Sequence, residues 1–363
     1  MVAIGVVVIA AAIAVPITVL GSSPPTKPAV LSSTITTVPT PLHVTRRTPP
    51  GTPHLYTEMR STSLGTVQSP TLLTASPSAV YLRGTEEYSD NLFRVSLQPF
   101  ALTTSTLVSG LNEAAYGLGA LWAAAGDLVR VDPTSLAVTA TYPLPGTVLL
   151  VTVAAGKLWV ATRTNLLAVD PTTGAVQRTE PLGFLPQAMA ASPNRSVLYV
   201  VGDKQPPVHA RRTVNSARLA SFDSTNGALL GERTIGRAST GAIATTKNGV
   251  WAAVAALGKK DATTKIKLYR GASLAPGTQL VFQSNASVVP YVSGSVLWII
   301  GTGAYRTKCA DASTGHVAAT GTRVFSLGDG AMLSADGRAF MVRDGYRNPT
   351  RLLEIRPTSA CTH

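Results

Sequence analysis

Histidines are candidates for catalysis, because they bind metals and move protons near neutral pH. The chain of 363 residues has five, at His43, His54, His209, His316 and His363. None of them lies beside a glutamate or another histidine at the spacing that metal ligands need. The G-x-S-x-G, H-E-x-x-H and glycine-rich phosphate-binding motifs do not occur in the sequence either. The sequence therefore predicts no catalytic residues, no metal site and no cofactor.

Lysine and arginine form the other group that could do chemistry. The chain has 31 of them against 18 acidic residues, which gives a net charge of +13. A basic surface favours anionic partners, and paired arginines suit phosphate or carboxylate recognition. The candidate binding residues are Lys204, Arg211, Arg212, Lys259, Lys260, Arg306 and Arg343. A solvated basic surface without a specific partner is the alternative that the sequence leaves open.

Four aspartates recur in one short pattern and could be read as acids of an active site. Asp132, Asp170, Asp223 and Asp311 each begin a segment of the D-P-T-T-G type. In such a segment the aspartate accepts backbone N–H bonds, and a glycine takes the left-handed position. Their regular recurrence therefore predicts structural turns rather than catalytic acids.

An aromatic residue inside a short apolar run recurs at intervals of 37 to 52 residues. Blades of β-propellers recur at about 40–50 residues. A small-residue strand and a tight turn precede each run, and two more strands follow it, so each copy predicts four antiparallel strands. We expect an all-β fold, a seven-bladed β-propeller, with the aromatic residues packed between blades. The seven aromatic residues are Tyr81, Trp122, Trp159, Tyr199, Trp251, Trp298 and Phe340.

This architecture would bring the candidate binding residues together. The loops that join the second and third strands of every blade leave on one face of a propeller, and such loops carry function on a rigid scaffold. The seven candidate cations fall in or beside these loops in blades four to seven, whereas the loop of blade one, residues 84–91, is acidic. We therefore predict a face that is cationic over blades four to seven.

The two ends of the repeat region should meet. The seventh copy lacks a clear fourth strand, and an unassigned strand, Ser61–Val67, precedes the first copy. We predict that this segment completes blade seven, since closure leaves no long exposed edge. The chain has two cysteines, Cys309 in blade six and Cys361 near the end of blade seven. A disulfide between these adjacent blades is a reasonable hypothesis for an oxidising compartment.

The first residues indicate the compartment. Val2–Leu20 is an apolar run without a charge, long enough to span a bilayer as one helix. Residues 22–53 contain eight prolines and twelve serines or threonines, as expected of an extended linker. We expect a transmembrane helix or signal segment in 1–21, a disordered linker in 22–60 and the propeller in 61–363. The propeller would lie outside the cytoplasm, tethered to the cell membrane by a single pass, or secreted if the first segment is cleaved.

The segment Gly156–Val176, with its pattern G-x-L-W-V-A followed by L-x-V-D-P-T-T-G-x-V, resembles the YVTN-type and streptogramin-lyase-type seven-bladed propellers. It is also similar to quinoprotein-like repeats. The resemblance extends over about residues 61–363 and implies the propeller fold. Such repeats occur in enzymes, sensors and scaffolds, so the resemblance does not select a function.

Two functions from different classes follow. The first is a non-catalytic binding or sensing module, which recognises an anionic polymer of the cell envelope, a lipid head group or a protein partner. Nucleic acid is not expected as a partner in that compartment. The alternative is an envelope lyase or hydrolase of the streptogramin-lyase type, for which the resemblance implies a histidine and acidic residues gathered at the central channel.

Overall fold

The computed structural model describes residues 54–86, 89–204, 216–256, 263–283, 288–301, 307–321, 332–335, 338–345 and 348–362. These residues form seven four-stranded antiparallel sheets, so the predicted seven-bladed β-propeller is confirmed. Within the described part of the chain, no helix is long and apolar enough to cross a membrane. The predicted transmembrane segment and linker lie outside these residues, apart from the last part of the linker range.

The strands follow one order, with the first strand of each blade innermost. The first three blades contain β2 (Gln68–Ala75), β3 (Ala79–Glu86), β4 (Ser89–Leu97), β5 (Phe100–Leu107), β6 (Glu113–Gly117), β7 (Ala120–Ala125), β8 (Asp127–Val131), β9 (Val138–Tyr142), β10 (Val148–Ala154), β11 (Lys157–Thr162), β12 (Asn165–Val169) and β13 (Val176–Pro181). Blades four and five contain β14 (Leu185–Ala191), β15 (Val197–Lys204), β16 (Ser216–Asp223), β17 (Leu229–Gly236), β18 (Ala238–Thr246), β19 (Gly249–Ala256), β20 (Thr263–Arg270) and β21 (Ala275–Gln283). Blades six and seven contain β22 (Val288–Ser293), β23 (Val296–Gly301), β24 (Lys308–Asp311), β25 (Val317–Thr320), β26 (Met332–Ala335), β27 (Arg338–Gly345), β28 (Asn348–Pro357) and, from the start of the chain, β1 (Tyr56–Ser63).

Burial falls from the middle of each blade to its outer edge. The second strands are buried on both faces, as all six residues of β23 (VLWIIG) are, because each sheet packs against its two neighbours. The outer strands are polar and partly exposed, as in β13 (VQRTEP). The innermost strands contact one another in sequence around the ring, from β2 to β26 and back to β2. The core therefore consists of layers between blades rather than one central mass.

The repeated aromatic residues form these layers, as predicted, and three of them also donate a hydrogen bond to the next blade. The Tyr81 hydroxyl donates to the Pro133 carbonyl at 2.7 Å. Trp159 Nε1 donates to the Ser224 carbonyl at 3.1 Å, and Trp251 Nε1 donates to the Ala312 carbonyl at 2.8 Å. In each case the acceptor directly follows the aspartate of the next blade's turn. The aromatic repeat and the aspartate repeat are thus two halves of one contact between blades.

The aspartates are structural, as the sequence predicted. Asp132 Oδ1 accepts the backbone N–H groups of Thr134 and Ser135 at 3.0 and 2.7 Å. Asp170, Asp223 and Asp311 accept the corresponding bonds in their own turns. These hydrogen bonds, led by the one from the Ser135 backbone, lower the pKa of the Asp132 carboxyl. Each carboxylate therefore already accepts hydrogen bonds from the backbone of its own turn.

The two ends of the described chain close the ring in blade seven. Strand β1 pairs antiparallel with β28, and Tyr56 lies opposite Pro357. The predicted closure of blade seven is confirmed, but the strand spans Tyr56–Ser63. Only residues 61–63 of the expected segment 61–67 belong to it, and residues 64–67 form the connection to β2. Its sequence, YTEMRSTS, lacks the apolar alternation that would have marked its start. A disulfide between Cys309 on β24 and Cys361 in a short 3₁₀-helix, Ser359–Cys361, joins blade six to the end of blade seven.

Candidate functional site

The antiparallel order of strands gives the propeller two distinct faces. On one, which we call the turn face, lie the turns from first to second strands and from third to fourth strands. On the other, the loop face, lie the loops from second to third strands and the connections between blades. Both faces and the channel along the ring axis are positions where propellers present binding groups.

The innermost strands enclose a central cavity of about 890 Å³. Its lining mixes small or apolar side chains, such as Leu73, Val151 and Met189, with hydroxyl groups from threonines and serines. The lining also includes turn residues such as Ser192 and Ser295, so the cavity extends to the turn face. A concave, mostly apolar space with a few polar groups is the usual form of a small-molecule site.

Glu113 is the polar group that stands out in this lining. It begins β6, and one carboxyl oxygen accepts a hydrogen bond from the backbone N–H of Val151 on β10. The other oxygen, Oε2, is buried and has no hydrogen-bond partner. Because burial penalises the charged form, the pKa of Glu113 is raised to about 8. A carboxyl with a buried, unpartnered oxygen beside a cavity is a candidate functional group.

No sequence motif marks Glu113, although its position in the repeat does. Counting back nine residues from the tryptophans of blades three, five and six gives Leu150, Ala242 and Val289. The same count from Trp122 gives Glu113. At a position that is apolar in these other blades, blade two therefore carries an acid. This departure of Glu113 from the repeat marks it as unusual, and a search for short motifs does not detect such a departure.

Two cations stand at the turn-face end of the cavity. Arg195 and Lys247 belong to the first turns of blades four and five, and both side chains are exposed and in the lining. Neither forms an ion pair within the described residues. Arg195 has φ 58°, a left-handed conformation that non-glycine residues adopt at a cost. Asp311 also lines the cavity, but its own turn occupies its carboxylate.

The structure describes two of the seven predicted binding cations. Lys204 is the last residue of β15 and is exposed at the loop face. Arg343 lies near the loop-face end of β27, where its guanidinium is 3.7 Å from the Glu58 carboxylate. Arg211, Arg212, Lys259, Lys260 and Arg306 lie outside the described residues. They belong to connections that follow β15, β19 and β23 in the sequence.

Other charged residues on the loop face are not among the seven predicted binding residues. Arg163, Arg237 and Lys265 are exposed there, and no described acid pairs with them. Exposed acids also occur, at Asp90 in blade one and Asp127 in blade two. The exposed cations of this face thus lie over blades three to five, although Glu180 and Asp203, near the loop-face ends of β13 and β15, add acids to blades three and four.

The described histidines do not form a site. His54 precedes β1, and His316 follows a turn of blade six, whereas His43, His209 and His363 lie outside the described residues. Among the residues that the structure covers, no group of three or more His, Cys, Asp or Glu could hold a metal ion. The described lining of the central cavity includes Glu113 but no histidine.

Comparison with solved structures agrees with the fold. The chain is similar to the WD40 domain of Neurospora crassa Pan2, with 8% identity over 83% of this chain and 97% of that one and a TM-score of 0.60. It is also similar to the WD40 domain of Toxoplasma gondii coronin (10% identity, 84% and 87% covered, TM-score 0.60). A third similar chain is the hydrazine synthase of Kuenenia stuttgartiensis (13% identity, 81% and 97% covered, TM-score 0.60).

No protein-family model matches the sequence, and no curated protein matches it. The structural similarities are at identities that show the fold alone. The similar structures include WD40 domains as well as an enzyme, so a propeller fold is compatible with either class of function. These similarities therefore do not select a function.

Proposed function

We propose that this chain is a non-catalytic binding module that recognises an anionic component of the cell envelope, or the anionic surface of a protein partner, through its loop face. The observation that carries the proposal is a set of exposed loop-face cations that have no acidic partner among the described residues, namely Arg163, Lys204, Arg237 and Lys265. Cations on a rigid rim attract anions without first having to break an ion pair.

Five more cations lie in connections outside the described residues. The segments after β15 and β19 contain Arg211, Arg212, Lys259 and Lys260, and the segment after β23 contains Arg306. Second strands of all blades end at the same face, so these five cations would extend the basic area across blades four to six. Arg343 would contribute less, because Glu58 offsets its charge.

The proposed location is outside the cytoplasm, at the membrane. The disulfide Cys309–Cys361 supports it, since stable disulfides belong to oxidising compartments. The uncharged run Val2–Leu20 supports a single membrane pass or a cleaved signal. A lyase would need histidine and acidic residues together at the centre, and no described feature favours that alternative over binding.

The test is binding of the purified chain to isolated envelope material over a salt series. A loop-face variant changes Arg211, Arg212, Lys259 and Lys260 to glutamate. We expect binding that weakens with salt and at least a tenfold loss in this variant, because charge reversal repels an anionic ligand. Vesicles containing phosphatidylglycerol, compared with phosphatidylcholine vesicles, separate a lipid ligand from an envelope polymer.

The matched control places the same charge change on the turn face. Arg195, Lys247, Arg270 and Arg356 are exposed there, and changing them to glutamate alters the net charge equally. The control variant should keep most of the binding. Equal losses in the two variants would mean that only net charge matters, and no loss in the loop-face variant would refute the proposed site.

A further inference from the structure

The turn-face mouth of the central cavity carries an inference that goes beyond the loop-face function. Arg195 and Lys247 line the cavity there, and both are exposed and form no ion pair within the described residues. Cations at a concave mouth attract anions more strongly than cations on a flat surface, because the cavity walls focus the field. We propose that the cavity binds a small organic anion, with one carboxylate or phosphate group at Arg195 and Lys247 and an apolar part inside.

The two cations belong to turns that are joined at their base. Arg195 lies between β14 and β15, and Lys247 lies between β18 and β19. Just before these turns, Thr245 Oγ1 donates a hydrogen bond to the Ala191 carbonyl at 2.8 Å, which connects the ends of β14 and β18. Blades four and five therefore present the two cations at neighbouring positions of the rim, and one anionic group can approach both.

The backbone of Arg195 is held in a conformation that favours glycine. Its φ is 58°, and in the first turn of blade six a glycine, Gly294, has nearly the same value, 59°. The Arg195 N–H donates to the Ser192 carbonyl at 2.7 Å, and the Arg195 carbonyl accepts a hydrogen bond from the Ser224 hydroxyl. A glycine would form this turn at lower cost, so the arginine is better explained by what its side chain binds.

The inner part of the lining suits an uncharged, apolar group. Leu73, Val153, Met189 and Leu333 line it, together with small residues such as Ala190. On β6 the lining extends over residues 113–116, which is about 10 Å at ~3.3 Å per residue. This space is long enough for a short hydrocarbon chain, and burial of such a chain is favourable.

The acids of the lining determine where the ligand's charge can lie. Asp311 Oδ1 accepts hydrogen bonds from the backbone N–H groups of Ser313 and Thr314 at 3.0 and 2.8 Å, so its own turn stabilises it. Glu113 belongs to the inner part of the lining, where no described residue is a cation. An anionic group placed there would lose water without gaining a positive partner. We therefore expect ligands with one anionic end to bind better than those with two.

The experiment is isothermal titration of the full chain with hexanoate and with hexyl phosphate, which distinguish a carboxylate ligand from a phosphate ligand. Probes of this size are expected to bind with a Kd on the order of 1 mM. At least one of the two should bind, with an affinity that falls as salt is added. Hexanol and hexylamine should bind at least tenfold more weakly, and adipate, with its second carboxylate, should bind more weakly than hexanoate.

A pair of substitutions tests the two cations together. The double variant Arg195→Gln, Lys247→Gln should bind the better probe at least tenfold more weakly, because both positive charges are lost. The matched control is Arg270→Gln, Arg356→Gln. Both of these arginines are exposed on the turn face but lie outside the lining, so the control should bind normally.

The single variant Arg195→Gly separates binding from the structure of the turn. Glycine adopts a φ of 58° easily, so the midpoint of thermal unfolding should stay the same or rise, while probe affinity should fall several-fold. A turn residue without a ligand would show the change in stability alone.

Several results would overturn the proposal. These are no binding of either probe at about ten times the expected Kd, equal binding of hexanol, equal losses in the double variant and its control, and unchanged affinity in Arg195→Gly. The loop-face variant should bind the probes normally, since its substitutions lie on the opposite face. This proposal and the loop-face function can therefore fail independently.

Discussion

Glu113 shows how one side chain can couple the stability of a propeller to pH. In the unfolded chain its carboxyl ionises near 4.5, whereas in the folded chain it keeps its proton up to about pH 8. Folding therefore takes up a proton between these values. The contribution of Glu113 to stability is fully favourable below about pH 4.5 and is lost as the pH rises towards 8.

We predict that Glu113→Gln removes this dependence. At about 1.4 kcal/mol per pH unit, the variant should be more stable than the natural chain by a few kcal/mol at pH 8, and equally stable at pH 4. Urea unfolding at pH 4, 6 and 8 measures the difference. Asp127→Asn, at an exposed acid, serves as the control and should leave the curve unchanged. A constant offset between Glu113→Gln and the natural chain would contradict the prediction.

Single residues were the least predictable from sequence. The turn aspartates were interpreted correctly, because the hydrogen bonds that form each turn come from residues two and three positions further along the chain. The raised pKa of Glu113 results from burial, and Val151 in the next blade partly offsets it. No local sequence pattern reveals either influence. The loop-face cations could be located by blade, but whether each has an acidic partner depends on contacts such as Arg343 with Glu58.

At the scale of elements, the contact between an aromatic residue and the next blade's turn is the repeated unit of packing. The turn glycines belong to this contact, because a Cβ on Gly227 would lie 2.9 Å from the Trp159 ring. A Cβ on Gly315 would lie 2.6 Å from the ring of Trp251. Glycine is thus favoured at this position for two reasons. It adopts the left-handed backbone conformation easily, and it leaves room for the neighbouring tryptophan ring.

Two glycine substitutions separate these roles. Gly227 and Gly156 have φ of 75° and 72°, but a Cβ on Gly156 would meet nothing within 4 Å. Gly156→Ala should cost about 1 kcal/mol of unfolding free energy for the backbone alone. Gly227→Ala should cost ~1–3 kcal/mol more, because the Trp159 ring must move. Urea unfolding measures both, and equal losses would show that the contact between blades has no steric component.

The blades were predictable because their aromatic residues and turns repeat with the chain. Each of the seven aromatic runs is a second strand, and each aspartate turn follows a third strand. The start of β1 was less predictable, because an outer strand is polar and half exposed and therefore lacks an apolar pattern. The same applies to the outer strands of other blades, whose sequences alone resemble loops.

Strand β1 tests the closure of the ring. Removing residues 1–53 leaves β1 intact, whereas removing residues 1–63 deletes the partner of β28. We expect the first truncation to unfold in one cooperative transition like the full chain, and the second to lose much of its stability and to self-associate through the unpaired β28 edge. Thermal unfolding and size-exclusion chromatography distinguish them. Identical behaviour would mean that β1 is dispensable for closure.

At the scale of the whole molecule, the disulfide stabilises the same closure covalently. Cys309 and Cys361 are 52 residues apart, and a loop of that length corresponds to roughly 4 kcal/mol of stabilisation in the chain-entropy model. Reduction should therefore lower the midpoint of thermal unfolding by several degrees. The Cys309→Ala, Cys361→Ala double variant is the control. It should unfold like the reduced chain, and reductant should not change its unfolding midpoint. An unchanged midpoint on reduction would contradict this expectation.

The pairing of β1 with β28 also has a consequence for the order of synthesis. Arg60 on β1 binds Glu354 on β28, and 294 residues separate them in the chain. During synthesis β1 must therefore wait for β28, while the blades between them can assemble from neighbouring segments as they emerge. During that interval a waiting β1 can pair with the finished β28 of another copy. Nascent chains that are crowded together would then exchange first strands and form interlocked dimers.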